Sequence, residues 1–291
     1  MDDVIYIFIS PHLDDAVLSC GGYIHHLTSL GKRVVITTVV TADDKSGLPR
    51  SWLAQRNLRK WGNQAEIFAV RCLEDIAAAK RLGAEVVHLG FLDCIYRHDT
   101  NQQPLYRKNV IGVPIHPDDW QVLAPTLAEA LKALFERYVE QKLLIFCPLA
   151  IGKHVDHILV RQVVESLISS QQRLYYEDFP YAFSMKAFEP QLEDFRPLKI
   201  DLTPDDIKAR LEASACYRSQ IPGLFPSRFE IIWEIASSRL PLLGQFLQIR
   251  TDKKKSIERM NQFTQLCVQE RGGERYWAHA TACTTKSEID A

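Results

Sequence analysis

The apolar residues of this chain fall into short runs that alternate with longer, helically periodic stretches over about its first 180 residues. Short β-branched runs are typical of strands, and apolar positions three or four residues apart are typical of helices. The predicted strands are Val4 to Ile9, Val34 to Thr41, Val86 to Leu89, Leu143 to Cys147 and Leu174 to Tyr176, and the predicted helices are 17 to 30, 64 to 82, 121 to 140 and 157 to 169. This alternation predicts a Rossmann-like α/β fold, with a mainly parallel sheet and helices on both faces.

Two polar and aromatic stretches, residues 42 to 62 and 91 to 120, interrupt the alternation. We interpret them as loops, which carry specificity when a rigid sheet holds them. Beyond residue 200 the pattern is mixed, with helices predicted over Pro204 to Ser219 and Phe229 to Ser238. We therefore predict one domain over residues 1–291, with a core of about residues 4–220 and a mixed C-terminal extension of about residues 221–291.

Potential metal ligands follow two of the predicted strands. Pro11-His12-Leu13-Asp14-Asp15 comes directly after the first strand, and His154-Val155-Asp156-His157 comes soon after the fourth. Ligands in open α/β sheets collect at the carboxyl ends of strands. Two histidines and one carboxylate are a known ligand set of catalytic zinc, which keeps a further position for water. We predict that His12, Asp15 and His157 hold a divalent metal.

Three neighbouring side chains are candidates for catalysis. Asp14 can face the same pocket without binding the ion, and His154 lies one turn before His157. We predict that Asp14 is the general base, that a protonated His154 stabilises the oxyanion, and that Asp156 orients a histidine. The alternative is that these residues only begin helices, where carboxylates cap the backbone and complement the helix dipole.

The first motif has a near copy in Ile115-His116-Pro117-Asp118-Asp119. No apolar strand precedes this copy, and an amphipathic pattern follows it. We interpret it as the start of a helix and not as a metal site.

Several motifs occur here in the order found in the PIG-L/LmbE-like deacetylase family, which the chain resembles over about residues 4–220. They are Ser10-Pro11-His12-Leu13-Asp14-Asp15, Gly21-Gly22, His154-x-Asp156-His157 and Tyr175-Tyr176-Glu177-Asp178-Phe179-Pro180. The resemblance implies a zinc-dependent amidohydrolase that removes acetyl groups from N-acetylglucosamine-type substrates, with Fe²⁺ or another divalent metal as an alternative to Zn²⁺. Leu13 and Val155 stand where many members carry proline, and Ala16 where many carry glutamate, but these departures remove no proposed ligand.

Four residues are candidate substrate contacts. Arg71 lies on a predicted helix and is followed there by acidic residues. In this it resembles a substrate-binding arginine of the family. Its alternative is an i, i+4 ion pair with Asp75. Asp93, Tyr96 and Arg97 lie in the second predicted loop, where polar and aromatic side chains would suit a sugar. For each of these three the alternative is an ordinary surface loop.

Composition narrows the class of partner. A net charge of −1 provides no field that would attract nucleic acid. The seven cysteines are scattered and contain no Cys-x-x-Cys pair, which argues against a disulfide framework or a thiolate zinc site. The acidic N-terminus is unlike a signal peptide, and no apolar run approaches the roughly 20 residues of a membrane span. We expect a cytoplasmic enzyme with a small N-acetylated sugar or glycoconjugate substrate; a homo-oligomer is compatible with the sequence.

Two other functions are open at this level. His12-x-Asp14 with a distant histidine matches the facial triad of non-haem Fe(II) oxygenases, although those sites commonly lie on all-β folds. Gly21-Gly22 is reminiscent of a phosphate-binding turn and would suit a non-catalytic sugar- or nucleotide-binding module, but it is not G-x-G-x-x-G. Asp14 and His154, which simple binding does not need, favour catalysis.

Overall fold

A computed structural model describes residues 4–62, 66–184, 195–225, 253–271 and 273–279, and its centre is a seven-stranded sheet. The strands are β1 (Val4–Ser10), β2 (Arg33–Ala42), β3 (Glu85–Leu92), β4 (Lys142–Pro148), β5 (Arg173–Tyr176), β6 (Phe195–Ile200) and β7 (Glu274–His279). Their order is β3-β2-β1-β4-β5-β7-β6. The first five are parallel, and β7 runs antiparallel to both β5 and β6. The predicted α/β class with a mainly parallel sheet is confirmed.

Helices connect and flank these strands. They are α1 (Asp15–Ser29), α2 (Trp52–Lys60), α3 (Ile67–Arg81), α4 (Ala124–Glu136), α5 (Val155–Leu167), α6 (Tyr181–Ser184), α7 (Pro204–Ser214), α8 (Ile221–Leu224) and α9 (Lys253–Arg271). The predicted helix at Pro204 is shorter than expected, because it ends at Ser214. The helix predicted over Phe229 to Ser238 lies outside the described residues.

The prediction of a continuous loop over residues 42–62 was wrong, because α2 lies within it. The Ser51 hydroxyl caps this helix by accepting a hydrogen bond from the Ala54 amide at 3.1 Å. Only Leu53 and Ala54 of the helix are buried. With so few buried positions, the sequence shows no helical spacing of apolar residues. The residue Ser51, a common type of N-cap, was the available signal for this helix.

Each face of the sheet carries its own core. Ile5, Ile7 and Ile9 of β1 pack on the face covered by α4 and α5, whereas Tyr6 and Phe8 pack on the face that carries α1. β1 lies between β2 and β4 in the sheet. The order of the strands therefore reverses at β1, and in such sheets a crevice forms at the carboxyl ends of the two strands concerned, here β1 and β4. Both predicted metal motifs lie at this crevice.

The C-terminal strand β7 ties the far end of the chain to α1. Glu274 accepts a hydrogen bond from the Gly22 amide at 2.9 Å and pairs with Arg210 at 3.0 Å. Arg210 in turn donates to the carbonyl of Leu18, within the same helix. A Cβ on Gly22 would lie 2.5 Å from Leu202 Cδ1, so close packing accounts for this glycine. The predicted division into a core and an extension stays a prediction.

The cysteines whose side chains are described are all free, namely Cys20, Cys72, Cys94, Cys147 and Cys216. Within the described ranges, no helix has both the length and the apolar character required to cross a bilayer.

Candidate metal centre and catalytic cleft

The turn between β1 and α1 is fixed by its own hydrogen bonds. The Ser10 hydroxyl donates to the His12 carbonyl at 2.6 Å and accepts from the Ala16 amide at 3.0 Å. The Pro11 carbonyl accepts from the Val40 amide on β2 at 2.9 Å. The short polar residue at the end of the strand therefore holds the motif in one conformation at the sheet edge.

Three potential ligand atoms converge at this edge. His12 Nδ1 lies 3.2 Å from Asp15 Oδ2, His157 Nε2 lies 3.2 Å from the same oxygen, and the two nitrogens are 3.3 Å apart. Ligands about 2.0–2.2 Å from a tetrahedral zinc ion are about 3.3–3.6 Å from one another. The structure thus brings the three predicted ligands together in a triangle of the size that a divalent metal needs.

A buried carboxylate contacts the other nitrogen of each imidazole. Asp156 Oδ2 lies 3.0 Å from His12 Nε2, and Asp178 Oδ1 lies 2.6 Å from His157 Nδ1. Since a carboxylate accepts, both of these nitrogens carry hydrogen, and the lone pairs of His12 Nδ1 and His157 Nε2 are left for a metal. Asp178 was not predicted as a site residue. The one available signal was its place in the Tyr175–Pro180 segment of the family resemblance.

A second layer of charges holds Asp156. Arg97 donates to its other oxygen and also pairs with Asp119 Oδ2 at 3.0 Å. Asp119 in addition accepts a hydrogen bond from the Tyr106 hydroxyl at 2.7 Å. This connected series runs from His12 through Asp156 and Arg97 to Asp119, and we call it the support network. Arg97 is engaged in these ion pairs and does not line the cleft.

The second motif copy begins a helix, as predicted. A short π-helical turn, Asp119–Leu123, leads directly into α4. The His116 side chain is 38% exposed, and its Nδ1 accepts from the Asp118 amide. Asp119, however, is buried and belongs to the support network, which the sequence did not reveal.

The metal centre is rich in negative charge. Burial alone would lower the pKa of His157, but Asp15 and Asp178 raise it to about 10. Burial likewise opposes protonation of His12, yet Asp15 and Asp156 raise its pKa well above the usual value. Burial favours the neutral form of Asp15, but the two histidines hold its pKa well below its ordinary range. The centre therefore attracts cations, either protons or a metal that replaces them.

Asp14 behaves in the opposite way to its neighbour Asp15. Burial and the negative charge of Asp15 raise the pKa of Asp14 to about 7, although Arg71 opposes this shift. A carboxylate with such a pKa suits a general base near neutral pH. Asp14 lines the cleft beside the three ligands.

The expectation of a protonated His154 is not supported. Burial and the charge of His12 lower the pKa of His154 to about 3, so its imidazole is neutral at neutral pH. His154 Nδ1 accepts from the Asp156 amide at 3.3 Å and caps α5. The hydrogen of the neutral ring is therefore on Nε2, and His154 can donate a hydrogen bond without carrying a charge.

Other groupings of ligand-type atoms lie around the same point. Within the described part of the chain they are His12-His154-His157, Cys94-His154-Asp156 and His12-Asp93-Asp156. Asp156 is already paired with Arg97, and burial raises the pKa of the Cys94 thiol well above its usual value. The ligand atoms of His12, Asp15 and His157 lie within 3.3 Å of one another, and this assignment leaves His154 as the helix cap.

The cleft beside the centre encloses about 640 Å³ of empty space, part of it open to solvent. Of the predicted substrate contacts, Arg71 and Asp93 line it, whereas Tyr96 and Arg97 do not. Tyr96 is buried behind α3, with its ring 6.2 Å from that of Phe68. The cleft wall also contains side chains that were not predicted, namely Asn57, Trp61, Tyr181 and Gln220.

Arg71 does not form the i, i+4 pair. Asp75 instead accepts from Thr38, His88 and Tyr217, at 3.0, 2.9 and 2.6 Å. The Arg71 guanidinium lies 5.1 Å from the ring centre of Trp61, and its Nε has no hydrogen-bond partner among the described residues. Because an unpaired polar atom on a buried side chain is costly and Arg71 lines the cleft, this geometry favours contact with a ligand there.

Comparisons with known proteins identify the family of this chain. Residues 7–168 match the model of the PIG-L family, described as GlcNAc-PI de-N-acetylase. A 2'-N-acetylparomamine deacetylase of Niallia circulans is 30% identical over 79% of this chain and 85% of its own length. A 2'-N-acetylparomamine deacetylase of Streptomyces fradiae is 29% identical over 60% of this chain and 57% of its own.

Solved structures support the same fold. A crystal structure of the zinc-inhibited form of teicoplanin deacetylase Orf2 has a TM-score of 0.71 and 24% identity, covering 94% of this chain and 97% of that one. A deacetylase complex from the teicoplanin biosynthesis pathway has a TM-score of 0.68 and 25% identity, covering 94% and 96%.

Proposed function

We propose that this chain, which belongs to the PIG-L family, is a metal-dependent hydrolase that removes the acetyl group from the amide nitrogen of an N-acetylated sugar or glycoconjugate. The observation that carries the proposal is the triangle of His12, Asp15 and His157, with Asp14 beside it and outside it. The relatives named above as N-acetylparomamine deacetylases support the same class of reaction.

His12, Asp15 and His157 would hold the metal, and two histidines with one carboxylate favour zinc. A divalent metal bound there polarises a carbonyl oxygen and lowers the pKa of water from about 15.7 to about 7. Asp156 and Asp178 fix the ring orientation of the two histidines, and such partners raise the basicity of a ligating imidazole. Fe²⁺ is the alternative ion for the same ligand set.

Asp14 and His154 would carry the proton and hydrogen-bond steps. Asp14 takes the proton of the attacking water, since its pKa of about 7 lets it accept a proton and release it again. The Nε2 hydrogen of neutral His154 donates to the oxygen on which negative charge develops. Asp14, now protonated, delivers the proton to the departing amine. This assignment replaces the imidazolium expected for His154.

The cleft wall formed by α2, α3 and α8 suits the sugar. It presents Asn57, Arg71 and Gln220 as hydrogen-bonding groups and Trp61 as an aromatic surface. Asp93 adds an acceptor near the centre, because its Oδ2 lies 4.0 Å from His12 Nε2. Small-ligand pockets commonly combine a few placed polar groups with apolar area in this way.

The two other functions lose support. The oxygenase interpretation used His12-x-Asp14, but Asp15 and not Asp14 meets both histidines. The phosphate-turn interpretation used Gly21-Gly22, but these glycines lie inside α1 against Arg210 and Leu202.

The test is metal analysis combined with acetate release. Purified protein would be stripped, reconstituted with Zn²⁺ or Fe²⁺, and incubated with a panel of N-acetylated amino sugars and glycosides. We expect about one metal per chain, and acetate and free amine released in equal amounts. Turnover that requires oxygen and 2-oxoglutarate, or tight sugar binding without metal and without hydrolysis, would contradict the proposal.

A further inference from the structure

Tyr181 was not predicted as a site residue, yet it lies against a proposed metal ligand. Its ring centre is 6.1 Å from that of His157, with the planes at 89°. It also lines the cleft. Asp178, three residues earlier, contacts His157 Nδ1 at 2.6 Å, and the Ala182 amide donates to the Asp178 carbonyl at 2.9 Å. One short segment therefore both orients this ligand and covers it.

Gly152 provides the space for the Tyr181 ring. A Cβ built on Gly152 would lie 2.5 Å from Tyr181 Cγ, 2.6 Å from Cδ1 and 2.8 Å from Cδ2. Any other residue at position 152 would push the ring away, because real Cβ atoms do not approach so closely. The glycine sits in the β4–α5 turn, two residues before His154. The sequence thus fixes the ring beside the centre from two segments.

The strand order assigns the two sides of the cleft. α3 lies between β2 and β3 in the chain, on one side of β1, whereas the β4–α5 turn lies on the other side. The first side carries the polar and aromatic groups suited to a sugar. The second side carries Tyr181 and Val110, and the Val110 carbonyl accepts from the Val155 amide at 2.9 Å. This second side offers mainly apolar area next to His157.

We propose that Tyr181, held against Gly152, limits the acyl group that this site accepts to short chains such as acetyl. The inference rests on the proposed function, because it concerns the leaving acyl group of the same reaction. The acyl carbonyl reacts at the centre formed by His12, Asp15 and His157, and the sugar occupies the α3 side. The acyl chain then extends to the β4–α5 side, where the ring blocks further methylenes.

The test uses alkyl hydroxamates, which bind a metal through an acyl-like head group and need no knowledge of the sugar. Affinities of acetohydroxamate and hexanohydroxamate for the zinc-loaded protein would be measured by calorimetry. We expect the wild type to prefer acetohydroxamate, and Tyr181→Ala to shift the ratio of the two affinities toward the longer chain by about 10-fold or more. Trp61→Ala removes an aromatic ring from the other side and should leave this ratio unchanged.

Gly152→Ala supplies an independent arm of the test. Its Cβ should displace the ring into the cleft and weaken binding of both hydroxamates. In a Tyr181→Ala background the same substitution should have little further effect, since contacting residues are not additive. Zinc content and thermal melting would be followed for each variant, and Tyr181→Leu replaces Tyr181→Ala if the latter does not fold.

An affinity ratio within about twofold of the wild type in the folded Tyr181 variant would overturn the proposal. So would an equal effect of Gly152→Ala in both backgrounds. Failure of the proposed function gives a different result: no acetate is released from any N-acetylated sugar, while the hydroxamate length preference and its dependence on Tyr181 persist.

Discussion

Two segments carry nearly the same letters, His12-Leu13-Asp14-Asp15 and His116-Pro117-Asp118-Asp119, but the fold uses them differently. The first follows β1, which is buried from Ile5 to Ser10, at the crevice between β1 and β4, and its histidine and last aspartate meet His157. The second follows a loop and begins a helix, with its histidine partly exposed. Ligand chemistry is therefore decided by the preceding strand and its position in the sheet, and less by the motif letters.

The two segments are nevertheless connected. Asp119 of the second copy pairs with Arg97, which holds Asp156, which orients His12 of the first. The second copy, which carries no proposed ligand, thus supports the first copy, which carries two. This connection makes the comparison testable with matched substitutions in the two segments.

The largest effect is expected from replacing the histidine of each copy in turn and comparing the metal content of the two variants. His12→Ala should lower the zinc content from about one per chain to near zero and abolish acetate release, because it removes one of three ligands. His116→Ala should retain both. Elemental analysis after dialysis provides the measurement. Loss of metal in His116→Ala with retention in His12→Ala would reverse the assignment.

The next effect separates chemistry from metal binding. Asp14→Asn should keep stoichiometric metal but lower kcat by about 10²-fold or more, because the general base is lost. Asp118→Asn, at the equivalent place in the second copy, should leave kcat unchanged. Steady-state kinetics and metal analysis would be made on the same preparations. A metal-free Asp14→Asn protein would instead make Asp14 a ligand.

Substitutions in the support network sharpen the comparison. Asp156→Asn should weaken metal affinity by about 10- to 100-fold, as is typical when the partner of a ligating histidine is changed. Asp119 lies two contacts beyond Asp156, through Arg97, so Asp119→Asn should produce a smaller loss. Asp118→Asn again serves as the exposed control. Competition with a chromophoric chelator would give the affinities, and a larger loss in Asp119→Asn than in Asp156→Asn would contradict the order of the network.

The smallest of the expected effects is a change of a few degrees in melting temperature with pH. The pKa of His157 is raised to about 10, above its ordinary value of about 6.5. Its ion pairs therefore stabilise the metal-free protein fully below about pH 6.5, and this stabilisation is lost as the pH rises through about 10.

Metal binding needs the neutral ring and strengthens over the same interval. The rise in melting temperature on adding zinc should thus be larger at pH 8 than at pH 6, by about 3 °C or more. His116→Ala should behave as the wild type does. A zinc-induced shift that decreases from pH 6 to pH 8 would disagree with this account.

The sequence predicted the five parallel strands because each contains a short apolar run, and it predicted three metal ligands because they follow β1 and β4. It did not predict β6 and β7. Phe195–Ile200 contains Pro197 and two basic residues, and Glu274–His279 carries charges, so neither shows a clear apolar run. Their place in the sheet depends on pairing with each other and with β5, which is not a local property.

Within the candidate site, local spacing predicted the side chains that converge at the centre but not those that hold them in place. Asp178 and Asp119 reach their partners only through the tertiary fold. The family segment Tyr175–Pro180 marks Asp178 but gives it no role, and the spacing around Asp119 predicts only the start of a helix. Tyr96 and Arg97 were predicted as substrate contacts but form buried structural contacts instead. Polar and aromatic residues in a loop suit either role, so composition alone could not distinguish them. Arg71 could be placed only once the partners of Asp75 were known.

The central claim is that the first copy, and not the second, holds the metal together with His157. It is tested most directly by anomalous diffraction at the zinc edge from crystals of zinc-loaded protein. We predict the strongest peak between His12 Nδ1, Asp15 Oδ2 and His157 Nε2, with Asp14 outside bonding distance. The strongest peak at His116, or at Cys94 and Asp156, would contradict the account.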